Sequence, residues 1–301
     1  MLLIAVNVVV FILQMIPGLG VTEWGVNYGP LTLSGQYWRL FTPAFLHGGI
    51  FHIGVNMWCL WSLGALSERL FGKWQTFAIY MVTGVGGALL SIASNPNHAE
   101  LGASGAIFGI VGAVIAGVKF GDLKISTGEK RAIFSSAVSF AVLNFVLGFS
   151  QIGSGIFGGR TDNMCHLGGF VTGLLVGLPL GAFARRHELL QLATVAITGL
   201  VLFAGGHELV QTQGAAANRG IALMAERQHD YASAAQYTQA YLKQNPHDED
   251  AWLDLGKYYV LMNDRENAIK AFQTALKINP DLELAKEALE SLGASPQPEK
   301  K

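Results

Sequence analysis

Charged residues are scarce in this chain. Asp, Glu, Lys and Arg make up 14% of its 301 residues, against about 25% in ordinary soluble domains. The shortage is uneven: charges are sparse up to about residue 206 and frequent beyond it, which predicts a membrane domain followed by a water-exposed one. A formal net charge of -1 supplies no basic surface, so no nucleic-acid partner is expected. The two cysteines, Cys59 and Cys165, both fall in apolar stretches, which excludes a disulfide framework and leaves the redox compartment unmarked. The start also lacks a basic flank. Asn7 sits inside the first apolar run and no small-residue cleavage site follows it, so the run is not a cleaved signal peptide. The missing flank points to a true start upstream of Met1.

What the chain has in abundance is apolar length, 51% by composition. A helix needs about 20 apolar residues to cross a bilayer. Leu2–Ile16 is a short first candidate. Phe51–Leu70, Trp74–Ser94, Ser104–Phe120, Ala132–Phe149, Met164–Phe183 and Leu189–Gly205 follow. Helices are the expected form, because lipid leaves no partner for an open sheet edge. The connection from Gly18 to Gly49 carries Trp24, Tyr28, Tyr37 and Trp38, residues that favour the membrane interface.

Basic residues orient the spans. Arg69 and Lys73 lie between spans two and three, Lys119, Lys124, Lys130 and Arg131 between four and five, and Arg185 and Arg186 between six and seven. The alternate connections hold Arg39 and Arg160. Basic loops face the cytoplasm, so span seven is expected to exit outward and the tail to be extracytoplasmic.

The tail carries a repeat. Trp252, Leu255, Gly256, Tyr259, Ala268, Phe272, Ala275 and Pro280 fit the tetratricopeptide (TPR) spacing, and Pro246 precedes Pro280 by its period of about 34 residues. A degenerate unit from Asn218 to Pro246 keeps Ala222 and Ala234 but has no tryptophan. Asp281–Leu292 is read as a capping helix and Ser295–Lys301 as disordered. The predicted fold is therefore all-α, a transmembrane helix bundle with a C-terminal helical repeat domain.

With this topology the outer ends of three spans share one depth. Span two brings His52 and, on the same helix face four residues on, Asn56. Span four brings Ser104, and span six brings His166. Polar groups within spans are costly and mark function. Together they suit acyl transfer, with Ser104 as nucleophile and His166 as its base. His52, Asn56 and the Ser104 backbone N–H would be donors to an oxyanion. Asp162, four residues before His166, reads as a helix cap rather than a third catalytic member. Gly105 and Gly109 in span four, with Gly169 and Gly173 in span six, read as positions of close helix packing.

These stretches resemble the rhomboid family of intramembrane serine proteases. The likeness rests on Trp38-Arg39, on His47-Gly48-Gly49-Ile50-Phe51-His52-Ile53-Gly54-Val55-Asn56, and on Glu68 with Gly72. It continues through Gly102-Ala103-Ser104-Gly105-Ala106-Ile107-Phe108-Gly109, and through His166-Leu167-Gly168-Gly169 with Gly173. The resemblance covers about residues 1–187 and implies a Ser104–His166 dyad, with His52 and Asn56 serving the oxyanion. It further implies cleavage of single-pass membrane proteins near the outer bilayer face, with spans two and five as a lateral gate. Cys165 departs from the alanine common before the catalytic histidine, and the seventh span is an addition.

Expected domains are a six-span core at 1–187, a seventh transmembrane helix at 188–206 and a TPR-like domain at 207–301. No cofactor or metal is expected; the partners are single-pass membrane substrates, the lipid bilayer and a peptide or protein for the tail. The expected location is a prokaryotic plasma (inner) membrane. The competing class is a catalytically silent scaffold that binds membrane proteins through its bundle and tail. A transporter would show buried mid-membrane charge and paired broken helices, and the chain shows neither.

Overall fold

Fourteen consecutive residues, Gly105 to Val118, are buried in one helix, and the membrane domain is built around it. A computed structural model describes residues 2–150, 161–182 and 188–295. The central helix is α6 (Ser104–Phe120), and around it lie α1 (Leu2–Gln14), α4 (Ile50–Phe71), α5 (Lys73–Ser94), α7 (Thr127–Ser150) and α8 (Asn163–Ala182). A helix apolar on all sides belongs inside a bundle, so α6 meets protein where its neighbours meet lipid. Among the described residues, α4, α5, α7, α8 and Ala193–Val210 are long and apolar enough to cross a membrane, and α1 and α6 are shorter apolar helices. The chain is an all-α polytopic bundle with a C-terminal helical repeat. Of the basic residues used above for orientation, Arg160, Arg185 and Arg186 lie outside the described residues.

Small residues decide how closely α6 and α8 approach. Methyl groups on Gly169 and Gly173 would overlap the carbonyl oxygens of Gly105 and Gly109. Two turns on, Gly177 and Gly181 meet the backbone of Ala113 and Gly117 in the same way. The four-residue spacing puts one bare stripe on each helix, and backbones touch along its whole length. The packing predicted for Gly105, Gly109, Gly169 and Gly173 is what the structure contains.

The connection from Gly18 to Gly49 is folded. It contains α2 (Val21–Gly25), the two-residue β1 (Asn27–Tyr28), α3 (Gly29–Leu33) and two 3-10 turns. Strand β1 pairs antiparallel with β2 (Ala99–Glu100), placing Asn27 opposite Glu100. Arg39 is 4% exposed; its Nη1 donates to the carbonyls of Glu23 (2.8 Å) and Val26 (2.7 Å) and its Nε to Gln36. Arg39 therefore organises this loop from within, and its charge does not report on topology. Trp24 and Trp38 stack at 5.7 Å on the outside, half-exposed as interface residues are. At the other end of α4, Arg69 pairs with Glu129 at 2.8 Å, so the last turn of α4 meets the first turn of α7.

The chain divides into two compact units, residues 1–32 with 36–207, and 33–35 with 208–301. The second contains the end of α9 (Glu188–Arg227), then α10 (Tyr231–Leu242), α11 (Glu249–Leu261), α12 (Arg265–Ile278) and α13 (Glu283–Ser291). α9 contains the apolar stretch read as span seven and continues beyond it, running for 40 residues. No proline interrupts it and polar helix formers follow the apolar part, so nothing ends the ladder. Asp230, Asp248 and Asp264 cap α10, α11 and α12 through the N–H groups of Ser233, Ala251 and Asn267. Such caps are each worth about 1 kcal/mol. Gly256 faces the Phe272 ring, where a methyl group would stand 2.6 Å from Cδ1, which is why that position of the repeat is glycine.

Candidate active site

Gly102 sets the geometry at the start of α6. Its φ of 137° lies in a region that side chains avoid, and its N–H donates to the Pro43 carbonyl at 2.9 Å. A methyl group here would stand 2.9 Å from His52 Cε1, 3.0 Å from His52 Nε2 and 3.7 Å from Ser104 Oγ. The bare face of Gly102 thus lets the His52 ring approach Ser104.

Across the glycine-packed seam, α8 presents His166. Its Nε2 lies 2.8 Å from Ser104 Oγ, hydrogen-bond distance for a hydroxyl and an imidazole. Phe108, one turn along α6 from Ser104, stacks on the His166 ring at 4.3 Å and 16°. Phe145 of α7 backs Phe108 at 4.9 Å. The imidazole is 8% exposed, and its plane is fixed by this aromatic pile. Its Nδ1 has no partner among the described residues. Asp162 does not reach it: Oδ1 accepts from the N–H groups of Met164 (3.0 Å) and Cys165 (2.9 Å), and Oδ2 accepts from Ser91 Oγ. The aspartate caps α8, as its position predicted.

His52 and Asn56 face the same region from α4. The Gly48 N–H donates to His52 Nδ1 at 3.2 Å, so in the neutral ring the proton sits on Nε2, the nitrogen beside Gly102. Asn56 is buried one turn further along, and its Nδ2 has no acceptor among the described residues. His52 Nε2 is therefore a donor beside Gly102, and the Asn56 amide, on the same face of α4, keeps unused donor capacity. His47 lies edge-on to His52 at 5.2 Å, and burial, then the neighbouring His52, lowers it to about 3, so it stays neutral.

Gln14 was missed from sequence. At the end of α1 it forms a two-way amide clamp on the His47 backbone: His47 N–H donates to Oε1 at 3.0 Å and Nε2 donates to the His47 carbonyl at 3.2 Å. That holds the loop leading into His52. The one available signal was a polar residue closing an apolar run. Further along α4, a groove of about 460 Å³ opens between α4 and α7, lined by Trp58, Cys59, Leu63, Leu66, Ile133 and Phe140. Little of α7 is buried.

The fold and site define a polytopic helical membrane protein with a Ser–His pair seated where two glycine-packed spans meet. Residues 34–183 match the rhomboid domain and residues 225–292 a tetratricopeptide repeat; the chain is a member of the rhomboid family. It is 29% identical over 294 residues to the rhomboid protease GluP of Bacillus subtilis, covering 93% of this chain and 54% of that protein. To rhomboid-like protease 1 of Toxoplasma gondii it is 33% identical over 168 residues, 55% of each. The inactive RHOMBOID-like protein 8 of Arabidopsis thaliana is 30% identical over 150 residues, 49% of this chain and 39% of that one. This chain spans about half the length of the curated relatives it matches. Intramembrane proteolysis is the activity of the family at large, and some members are inactive.

Proposed function

We propose that this protein is an intramembrane serine endopeptidase using a Ser104–His166 dyad. The observation that carries the reading is the 2.8 Å contact between His166 Nε2 and Ser104 Oγ at the buried junction of two spans. His166 Nε2 takes the hydroxyl proton as Oγ bonds to the scissile carbonyl carbon. The carbonyl oxygen gains the negative charge and accepts hydrogen bonds from His52 Nε2–H, Asn56 Nδ2–H and the Ser104 N–H. His166 then gives its proton to the departing amine, leaving an acyl-enzyme on Oγ. Water, deprotonated by the same imidazole, adds to the acyl carbon and regenerates Ser104. No cofactor is needed for these steps.

In this reading a single-span substrate reaches the site from the bilayer between α4 and α7, where the 460 Å³ groove lies. The core comprises residues 1–187, residues 188–206 form an added seventh transmembrane helix, and residues 207–301 are a TPR-like domain. The basic clusters support an outward-facing site and an extracytoplasmic tail in a prokaryotic plasma membrane. The tail binds a peptide or protein, since tetratricopeptide repeats mediate protein interactions.

The test is cleavage in liposomes of a single-span substrate with small residues near its outer end, comparing wild type with Ser104→Ala. Product from wild type alone, mapped by mass spectrometry, supports the protease. No product, together with no labelling of Ser104 by a fluorophosphonate, moves the assignment to the silent scaffold. An Asn56→Ala variant should retain its KM while its kcat falls about 10²–10³-fold, the usual cost of losing one oxyanion donor. Unchanged kcat would remove Asn56 from the reaction.

A further inference from the structure

A second set of buried polar groups adjoins the dyad without taking part in it. Glu100, the last residue of β2, is 5% exposed. Its Oε1 accepts from the Cys165 thiol at 3.4 Å and its Oε2 from Asn27 Nδ2 at 3.1 Å. Asn27 Nδ2 also donates to the Ala88 carbonyl at 3.2 Å. A carbonyl can only accept, so the amide nitrogen, not its oxygen, faces Glu100. Two donors therefore meet the two oxygens of one carboxylate.

The position of Cys165 gives this contact leverage. It precedes His166 in α8, and a methyl group on Gly105, the residue after Ser104, would stand 2.6 Å from its Sγ. A methyl on Gly87 of α5 would stand 2.9 Å from the same sulfur. The thiol is wedged among α5, α6 and α8, touching the chain beside each member of the dyad. Close-packed interiors transmit such displacements.

We propose that Glu100 is a positioning residue that ties the first loop to the start of the His166 helix, and that its ionisation tightens the alignment of His166 with Ser104. The ionised carboxylate accepts both donors. Once protonated, it turns its O–H toward sulfur and exchanges a charge-assisted S–H···O bond for a weaker contact. The groups facing Glu100 are Asp162 and Cys165 from α8, Asn27 from β1 and, through Asn27 and Asp162, Ala88 and Ser91 of α5. None is a cation. Burial raises the Glu100 carboxyl to about 7, with the Asn27 hydrogen bond opposing the rise and Asp162 adding to it. The switch therefore falls where the protein would work.

The effect on cleavage rests on the protease reading, so the experiment has two independent readouts. The full chain in liposomes is assayed for kcat and KM between about pH 5.5 and 8.5 with wild type, Glu100→Gln and Cys165→Ala. Taking the ratio of wild-type kcat to variant kcat cancels the titration of the dyad and the substrate. For both variants the ratio should rise about three- to tenfold across this range, with KM unchanged. In parallel, the infrared S–H stretch of Cys165 is followed in a Cys59→Ser background, with and without Glu100→Gln. It should move to lower frequency as pH rises and stay fixed once Glu100 is glutamine. A flat kcat ratio overturns the positioning role even if the band moves. A stationary band overturns the link through Cys165 whatever the kinetics. If wild type neither cleaves nor labels at Ser104 with a fluorophosphonate, the protease reading fails, and the band still decides whether Glu100 grips Cys165.

Discussion

Cleavage by a His166→Ala variant should fall by a factor on the order of 10⁴ or more, with the protein still folded. Removing the base of a serine hydrolase leaves the hydroxyl proton with no place to go, and losses approaching about 10⁶ accompany such changes elsewhere. In this bundle the loss is not relieved by a neighbour. Asp162 is occupied with the N–H groups of α8 and the Ser91 hydroxyl, and His52 Nδ1 already accepts from Gly48. The fold should persist because Phe108 keeps its contacts with Phe140 and Phe145 after the imidazole is gone. Circular dichroism and a thermal midpoint would establish folding. Fluorophosphonate labelling of Ser104 should vanish along with cleavage. A folded His166→Ala protein that still labels and cleaves would end the dyad assignment.

The second large effect is expected far from any reacting atom. Gly173→Leu, about two turns along α8 from His166, should lower both stability and activity. A Cβ at position 173 would stand 2.7 Å from the Gly109 carbonyl carbon and 2.8 Å from its Cα. Those are backbone atoms, which cannot swing aside, so the helices must part. Overpacking of this kind costs about 1–3 kcal/mol. Parting the seam also lengthens the 2.8 Å Ser104–His166 contact, and misplacement by about 1 Å costs on the order of 10²-fold in rate. The control is Gly199→Leu, since nothing lies within 4 Å of a methyl group there. Thermal midpoints and initial cleavage rates should separate the two variants. Equal behaviour would mean that the glycine stripe is not what holds the dyad together.

Two local patterns explain why much of this was readable in advance. Apolar runs of spanning length are set by lipid, which acts on each segment independently, so α4, α5, α6, α7 and α8 appear within a few residues of their expected bounds. The tetratricopeptide positions are likewise local: small residues recur where helices touch, as Gly256 does beneath Phe272. α9 continues to Arg227, because the loss of hydrophobicity near Gly205 marks where lipid contact should stop, not where a helix should. Those are different forces, and only the second needs a breaker.

The sequence by itself determined that the chain is a bundle of apolar helices followed by a helical repeat, and it singled out Ser104, His166, His52 and Asn56 as polar groups at one depth. Tertiary structure alone decided which nitrogen of His52 faces Gly102, that Arg39 is spent inside the first loop, and that Gln14 clamps His47 across 33 positions. It alone brought Asn27 and Cys165 to the two oxygens of Glu100. The physical reason is one of range. Burial in lipid and helix periodicity act between near neighbours, whereas a hydrogen bond between distant residues exists only once packing has placed its donor and acceptor within about 3 Å.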